Sequence, residues 1–495
     1  MSTYARFVRS LLTLGTGQIL SWFGALVLLV VLPRYLGDVN LGKLTFAWTL
    51  TSLFGIIADL GVTTLLAKEV ARDVTVLGPL TKSVVLTRLP LSALAAAGAL
   101  GFVYLADYDE TTIRIVAVLC VWIVVGSLAN TFGAALQGLQ RMRPLIVSQT
   151  VGKLLQAGLV AALLLNGSGP MEVAIVTVLS TATGMMIGAI ALRKELLTRA
   201  LPSGKFLRLA VVGGLPFFVW QAALMVYGQM DFVILSVLTS DAVVGWYASA
   251  YRLVMLPAFV PVIVTTAMLP ALSSVSRDPA QFSAVARRSL QLVVLATFPM
   301  TIGILLLPEK IVQFLGYPEA FSNSVVPMML LAPHVPLAGI DTIIGTVLVT
   351  LDRQRQWAMI GVAAAVVNPI ANLVAIPLTH QLLGNGAIGA SLTTGLTELF
   401  MFVLALRLLP SWVFGISTVR YVVRCAGAGL AMAVAVLIVR EAPLPFVVAL
   451  GVVAYAAASI ALKTLAPSDL RRMRTEILGR TGAATVPSQR GDLVA

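Results

Sequence analysis

The recurrence of apolar stretches of about 20 residues along the whole length of the sequence most constrains what this chain can fold into. A helix rises 1.5 Å per residue, so about 20 residues cross a hydrocarbon core about 30 Å thick. Inside such a core each backbone amide must be satisfied within the protein, which leaves helices or a closed barrel. A barrel would show strands of about 10 residues with strict alternation, and this sequence lacks them. The chain is therefore predicted to be an all-α polytopic membrane protein. Composition agrees: 59% of the 495 residues are hydrophobic and 11% are charged, against about 25% charged in a soluble domain. Arg6 and Arg9 ahead of Leu11 resemble the start of a signal peptide. The apolar run to Leu32 is too long for one, and Leu32-Pro33-Arg34 is not a small-residue cleavage site. It is read as the first span.

Breaks between apolar runs predict fourteen spans, at about 11–32, 43–66, 83–106, 113–135, 145–165, 171–192, 210–238, 243–268, 287–307, 324–350, 357–378, 386–408, 419–440 and 443–465. With the N-terminus inside, all but six of the 34 Lys and Arg residues fall in or close to cytoplasmic segments. The six are Arg34, Lys43, Arg114, Arg252, Lys310 and Arg440. One miscounted span would spoil this bias, so it supports the count and places both termini in the cytoplasm of a cell membrane. The net charge of +13 is then explained by loops facing anionic lipid, and no nucleic-acid partner is implied. Cys120 and Cys425 lie inside apolar runs and imply neither a disulfide framework nor a metal site.

An internal repeat organises the spans. Gly42 pairs with Gly245, Arg72-Asp73 with Arg277-Asp278, Leu139-to-Arg143 with Leu351-to-Arg355, and Ala191-Leu192-Arg193 with Ala405-Leu406-Arg407. The matches run in order, each at the same point of the topology. They predict two six-helix lobes related by a pseudo-twofold axis along the membrane normal, plus two C-terminal helices. The expected units are an N-terminal lobe 1–209, a C-terminal lobe 210–412, an appendage 413–466 and a polar tail 467–495. Parallel repeats of this kind place a transporter's substrate between the lobes.

Enzyme chemistry is missing. The sequence has no GxxxxGK[ST] loop, HExxH or GxSxG, and no segment large enough for an ATPase. Asp107-Tyr108-Asp109 spells a DxD motif, but it sits in a short outer turn where acids are ordinary. The chain is not expected to be an enzyme, and no cofactor is implied beyond coupling to H+ or Na+.

Charges inside a bilayer are costly and mark function by default. Asp59, Arg88 and Lys153 fall in the first lobe, and Asp231, Arg252, Asp341 and Glu398 in the second. Asp231 and Arg252 lie at similar depth on consecutive spans, a spacing that permits an ion pair. Arg88 and Lys153 face Asp341 and Glu398 in sign, which suggests pairing across the cleft that a phosphate-bearing substrate would compete with. Arg88 can instead snorkel to the headgroups, and Asp59 can be a simple helix-end acid. Gln18, Asn130, Gln221, Gln229, Asn368 and Asn372 are candidate neutral lining.

Pro33-Arg34-Tyr35-Leu36-Gly37, Leu41-Gly42, Asp59-Leu60-Gly61, Gln137-to-Arg141, Leu215-Pro216-Phe217 and Gly245-Trp246-Tyr247 follow one another in the chain. Their order resembles that of the polysaccharide transporter family, the O-antigen and exopolysaccharide flippases of the multidrug/oligosaccharidyl-lipid/polysaccharide (MOP) superfamily. The resemblance covers about residues 10–465. It implies translocation of a polyprenyl-pyrophosphate-linked oligosaccharide from the cytoplasmic to the outer leaflet by alternating access. It also implies membrane lipids, polysaccharide polymerase and glycosyltransferases as partners. By position Arg34, Arg88, Lys153, Arg252, Gln18, Gln221 and Asn368 are candidates to bind substrate, and Asp231, Asp341, Glu398 and Asp59 to couple or gate. Two other readings stay open: an H+- or Na+-coupled multidrug extruder using the acids, and a membrane glycosyltransferase or polymerase.

Overall fold

The computed structural model describes residues 3–196 and 203–465, with side chains described from residue 20 onward. Among the described residues there are helices and turns but no strand. Twelve helices are long and apolar enough to span a membrane, and the pair Glu319–Leu331 and His334–Thr350, bent by 42°, makes a thirteenth. The run Thr3–Asp59 contains two spans, because Gly37 breaks it with φ 73° and ψ 179°, outside any helix. Split at Gly37, these helices fall close to the fourteen expected spans.

The helix starts follow from local chemistry. Asp278 accepts from the amides of Ala280 and Gln281 at 3.0 and 3.1 Å ahead of Pro279. Asn385 accepts from Ala387 at 3.1 Å. These side chains satisfy amide donors that a helix N-terminus leaves orphaned. Asp109 of the DxD turn has the same task. It caps Glu110–Gly138 through the Thr111 amide at 3.2 Å and accepts a 2.6 Å bond from Lys43. The two acids of that motif are helix-end and seam residues.

Repeat mates share local geometry. Gln140 (φ 56°) and Asp352 (φ 57°) both adopt the left-handed conformation. The next amide turns back five residues in each case, Arg141 to the Leu136 carbonyl at 2.9 Å and Arg353 to that of Leu348 at 2.8 Å. Each arginine then donates to the last turn of a later span: Arg141 to the Ala191 carbonyl and Arg353 to that of Leu408.

Spans 1–6 pack among themselves, as do spans 7–12, and spans 1–3 carry the contacts between the two sets. At the outer end Trp246 donates to Asp38 at 2.9 Å, Tyr108 meets Ser236 at 2.9 Å, and Tyr317 donates to the Leu29 carbonyl at 2.6 Å. Gly42 and Gly245 make this seam. A Cβ on Gly42 would lie 1.8 Å from the Asp241 carbonyl oxygen, and one on Gly245 would lie 2.1 Å from that of Asp38. The two backbones touch reciprocally across the axis that relates these mates. At the inner end the left-handed pair Leu60 and Gly61 turns span 2 against Gly214 and Phe217 of span 7. Trp22 and Phe259 pack their rings at a tilt, centroids 5.5 Å apart, between spans 1 and 8.

Candidate functional site

Polar side chains inside the membrane fall into three groups. The first surrounds Arg88 of span 3, which is fully buried. Its guanidinium donates to Asp59 and to the Ser127 carbonyl, to Thr131 Oγ1 at 2.6 Å and to Thr63 Oγ1 at 2.6 Å. Arg88 therefore neither snorkels nor reaches across a cleft. Its helix face points at spans 2 and 4, where hydroxyls and Asp59 compensate the charge. Of the expected cross-cleft partners, Glu398 is bonded by Tyr227 on span 7, and Asp341 lies beside Glu398.

The second group lies within spans 7, 8, 11 and 12. Asp231, 2% exposed, accepts hydrogen bonds from Tyr247 Oη (2.7 Å), Thr394 Oγ1 (2.9 Å) and Asn372 Nδ2 (3.0 Å). Asn372 also donates to Asn368 Oδ1 at 3.0 Å and accepts from Thr393. The expected ion pair between Asp231 and Arg252 is absent. Tyr247 and Arg252 are five residues apart, about 140° around the helix at about 100° per residue, so equal depth does not give a common face. Arg252 instead donates to Thr45 Oγ1 at 3.1 Å, with its guanidinium 5.6 Å over the Trp48 ring. Nearby, Glu398 accepts from Tyr227, lies 3.6 Å from His334 Nδ1 and neighbours Asp341. Neither Asp341 oxygen has a hydrogen-bond partner among the described residues.

The third group lines a half-open cavity of about 250 Å³ between spans 2, 4, 5 and 6. Asn130 and Gln137 line it from span 4, Gln149, Lys153 and Gln156 from span 5, and Thr181 from span 6. Spans 5 and 6 close one wall tightly, since a Cβ on Gly184 would lie 2.8 Å from the Ser148 carbonyl oxygen. Asn130, Gln137, Gln149 and Lys153 are exposed. Lys153 is the twelfth residue of Met142–Leu165, about 16 Å along the helix from its N-terminal end. A polar group at that depth requires a water-filled space or a ligand.

The remaining expected site residues are scattered. Gln221 donates to Thr64 Oγ1 at 3.4 Å, and Gln229 accepts from Thr49 at 3.4 Å; both bridge spans 7 and 2. Arg34 is exposed at the outer end, against Gly316 and 5.7 Å from the centre of the Tyr35 ring. The side chain of Gln18 lies outside the described residues. Gln137, Gln149 and Gln156 were not anticipated, although residues 149, 153 and 156 fall at the i, i+4, i+7 spacing of one helix face. Among the described residues no three His, Cys, Asp or Glu side chains are placed to hold a metal ion.

This architecture defines a multi-pass helical membrane protein with a transporter fold. An inward-closed structure of the lipid II flippase MurJ superposes with a TM-score of 0.73 at 14% identity, covering 91% of this chain and 98% of that one. An inward-facing multidrug resistance MATE transporter of the MOP superfamily gives 0.63 at 15% identity, covering 79% and 97%. The chain belongs to the polysaccharide biosynthesis protein family, whose profile matches residues 7–276. It is 29% identical over 191 residues to the probable flippase AglR of Haloferax volcanii, 38% of each chain. It is 26% identical over 189 residues to the probable low-salt glycan biosynthesis flippase Agl15 of the same organism, 38% of this chain and 39% of that one. The match thus spans less than half the length of these curated relatives.

Proposed function

We propose that this protein is a flippase that carries a polyprenyl-diphosphate-linked oligosaccharide from the cytoplasmic to the outer leaflet of the cell membrane. In this reading lobes 1–209 and 210–412 rock against one another, with 413–466 appended and both termini in the cytoplasm. Polymerase and glycosyltransferases supply and consume its cargo. One observation carries the reading: among the described residues Lys153 has no partner, and it stands in a cavity at membrane depth with no carboxylate among the residues that line it. A fixed ammonium replaces part of the hydration a phosphate loses. The curated relatives support the same class of cargo.

The acids of the second lobe suit coupling. Asp231 draws the Tyr247 and Thr394 hydroxyls and the Asn372 amide N–H onto one buried carboxylate, an acid placed to exchange a proton or a cation. Glu398 and Asp341 form a buried acid pair suited to carrying a proton. These same acids favour the alternative, a cation extruder.

Flipping of a fluorescent polyprenyl-diphosphate oligosaccharide in proteoliposomes, with a cationic dye in parallel, separates the two. The flippase reading expects lipid flipping that falls severalfold in Lys153→Ala, with no dye movement. Dye export without lipid flipping overturns it.

A further inference from the structure

The cavity within spans 2, 4, 5 and 6 has a composition that the diphosphate alone does not explain. One cation suffices for one phosphate, yet four amide side chains surround Lys153. Asn130, Gln137 and Gln149 have no partner among the described residues, while Gln156 is fixed by a 2.9 Å bond to Thr177. An amide offers two donors and an acceptor side by side. Vicinal sugar hydroxyls, each both donor and acceptor, match that pattern and a bare phosphate does not. Asn130, Gln149 and Gln156 lie within spans 4 and 5, where such amides gain little from lipid tails and call for a polar occupant, while Gln137 stands at the end of Glu110–Gly138.

Size narrows the occupant. About 250 Å³ falls just below the roughly 300–1,000 Å³ of sites that take drug-sized ligands. A half-open space of that volume holds one pyranose ring and leaves its opening for the rest of the oligosaccharide. The position of Lys153 between Gln149 and Gln156 on one helix face places the charge beside the amides, as the anomeric phosphate stands beside its ring.

We propose that this cavity, within the first six spans rather than between the lobes, is the receptor for the sugar ring attached directly to the diphosphate. Asn130, Gln137, Gln149 and Gln156 take its hydroxyls and Lys153 takes the adjoining phosphate. The inference rests on the flippase reading and deepens it. The protein would then recognise its cargo by the first glycosyl phosphate, and the outer sugars of the oligosaccharide would matter less.

The test uses the full chain in detergent with Ala129→Cys, a cavity-lining position to which the proposal gives no contact, labelled by a membrane-impermeant thiol reagent. Cys120 and Cys425 are both buried, and the unsubstituted protein gives their background. The competing probes are a hexose 1-phosphate, an N-acetylhexosamine 1-phosphate, the free sugars and inorganic phosphate. The expected result is rapid labelling, slowed severalfold by at least one sugar 1-phosphate and far less by its two halves. The protection should be lost in Lys153→Gln and restored in Lys153→Arg. Protection by inorganic phosphate equal to that by sugar phosphates makes this an anion site and overturns the sugar assignment. Labelling that no probe slows reduces it to a hydrated vestibule, and absence of labelling makes it dry; both overturn the proposal. Flipping by the unsubstituted protein is measured alongside. Flipping without protection sinks this site alone, whereas protection without flipping sinks the flippase reading alone.

Discussion

Arg88 offers the sharpest test of how the first lobe is held together. It is fully buried, while the side chain of Asp59 keeps 15% of its exposure. Removing one partner of a buried pair costs about 3–5 kcal/mol, because the other charge is left uncompensated. The two deletions should not be equal. Arg88→Met strands a carboxylate that still reaches solvent and accepts from Thr63, so about 3 kcal/mol is expected. Asp59→Asn strands a guanidinium with no access to water, and about 5 kcal/mol is expected. The double variant Arg88→Met/Asp59→Asn leaves no charge behind. It loses only the bonds to Thr63, Thr131 and the Ser127 carbonyl, and should cost about 1–2 kcal/mol. Reversible unfolding in mixed detergent–SDS micelles, followed by tryptophan fluorescence, measures all three. A coupling of several kcal/mol is expected in the double-mutant cycle. Additive losses, or Arg88→Met costing under about 1 kcal/mol, would refute the reasoning. A double variant that is stable yet no longer flips lipid would return Arg88 to a direct role with substrate.

Three further outcomes are expected. Gly42→Ala puts a Cβ where the Asp241 carbonyl oxygen sits, so the outer seam cannot close. A Thr45→Cys probe, buried in that seam, should label severalfold faster from outside, and unchanged labelling would disprove the close approach. Burial of Asp109 works to raise its pKa, but hydrogen bonds from Lys43 and Thr112 outweigh it and hold the carboxyl below its ordinary value of 3.8. The unfolded chain then binds the proton first as pH falls. The stability that Asp109 contributes over Asp109→Asn should be full above pH 3.8 and vanish as pH falls through the lowered value, and a pH-independent difference in melting temperature would contradict this. Asp231→Asn should abolish any dependence of flipping on a Na+ or H+ gradient while the protein stays folded. Retention of the full gradient dependence would remove Asp231 from coupling.

Much of the architecture is legible without coordinates. Gly37 and the residues after it mark the turn between spans 1 and 2, since the 40 apolar-rich residues of Leu20–Asp59 are about twice what one crossing needs. The paired Leu139-to-Arg143 and Leu351-to-Arg355 segments signal two turns of one shape. The site is less legible. Depth along a helix follows from counting, and it brought out Asp231, Arg252, Arg88 and Lys153 as intramembrane charges. It does not say which way they point. Arg88 turns inward to Asp59, Arg252 turns to span 2, and Lys153 opens into a cavity. The one overlooked signal was the polar stripe of Gln149, Lys153 and Gln156.

By itself, then, the sequence determined that this chain lives in a membrane, roughly how often it crosses, where its helices begin and which side its loops are expected to face. These depend on hydropathy, charge bias and local capping, which act within one segment. Only the tertiary structure decided which polar residues pair, which seal a seam and which line a cavity. In a soluble helix the polar face reveals the azimuth. In lipid the outward face and the packed face are both apolar, so a span carries little sequence record of its rotation. That rotation is fixed by close approaches between helices, such as Gly42 on Asp241 and Gly184 on Ser148, and by the hydrogen bonds each buried polar group must find.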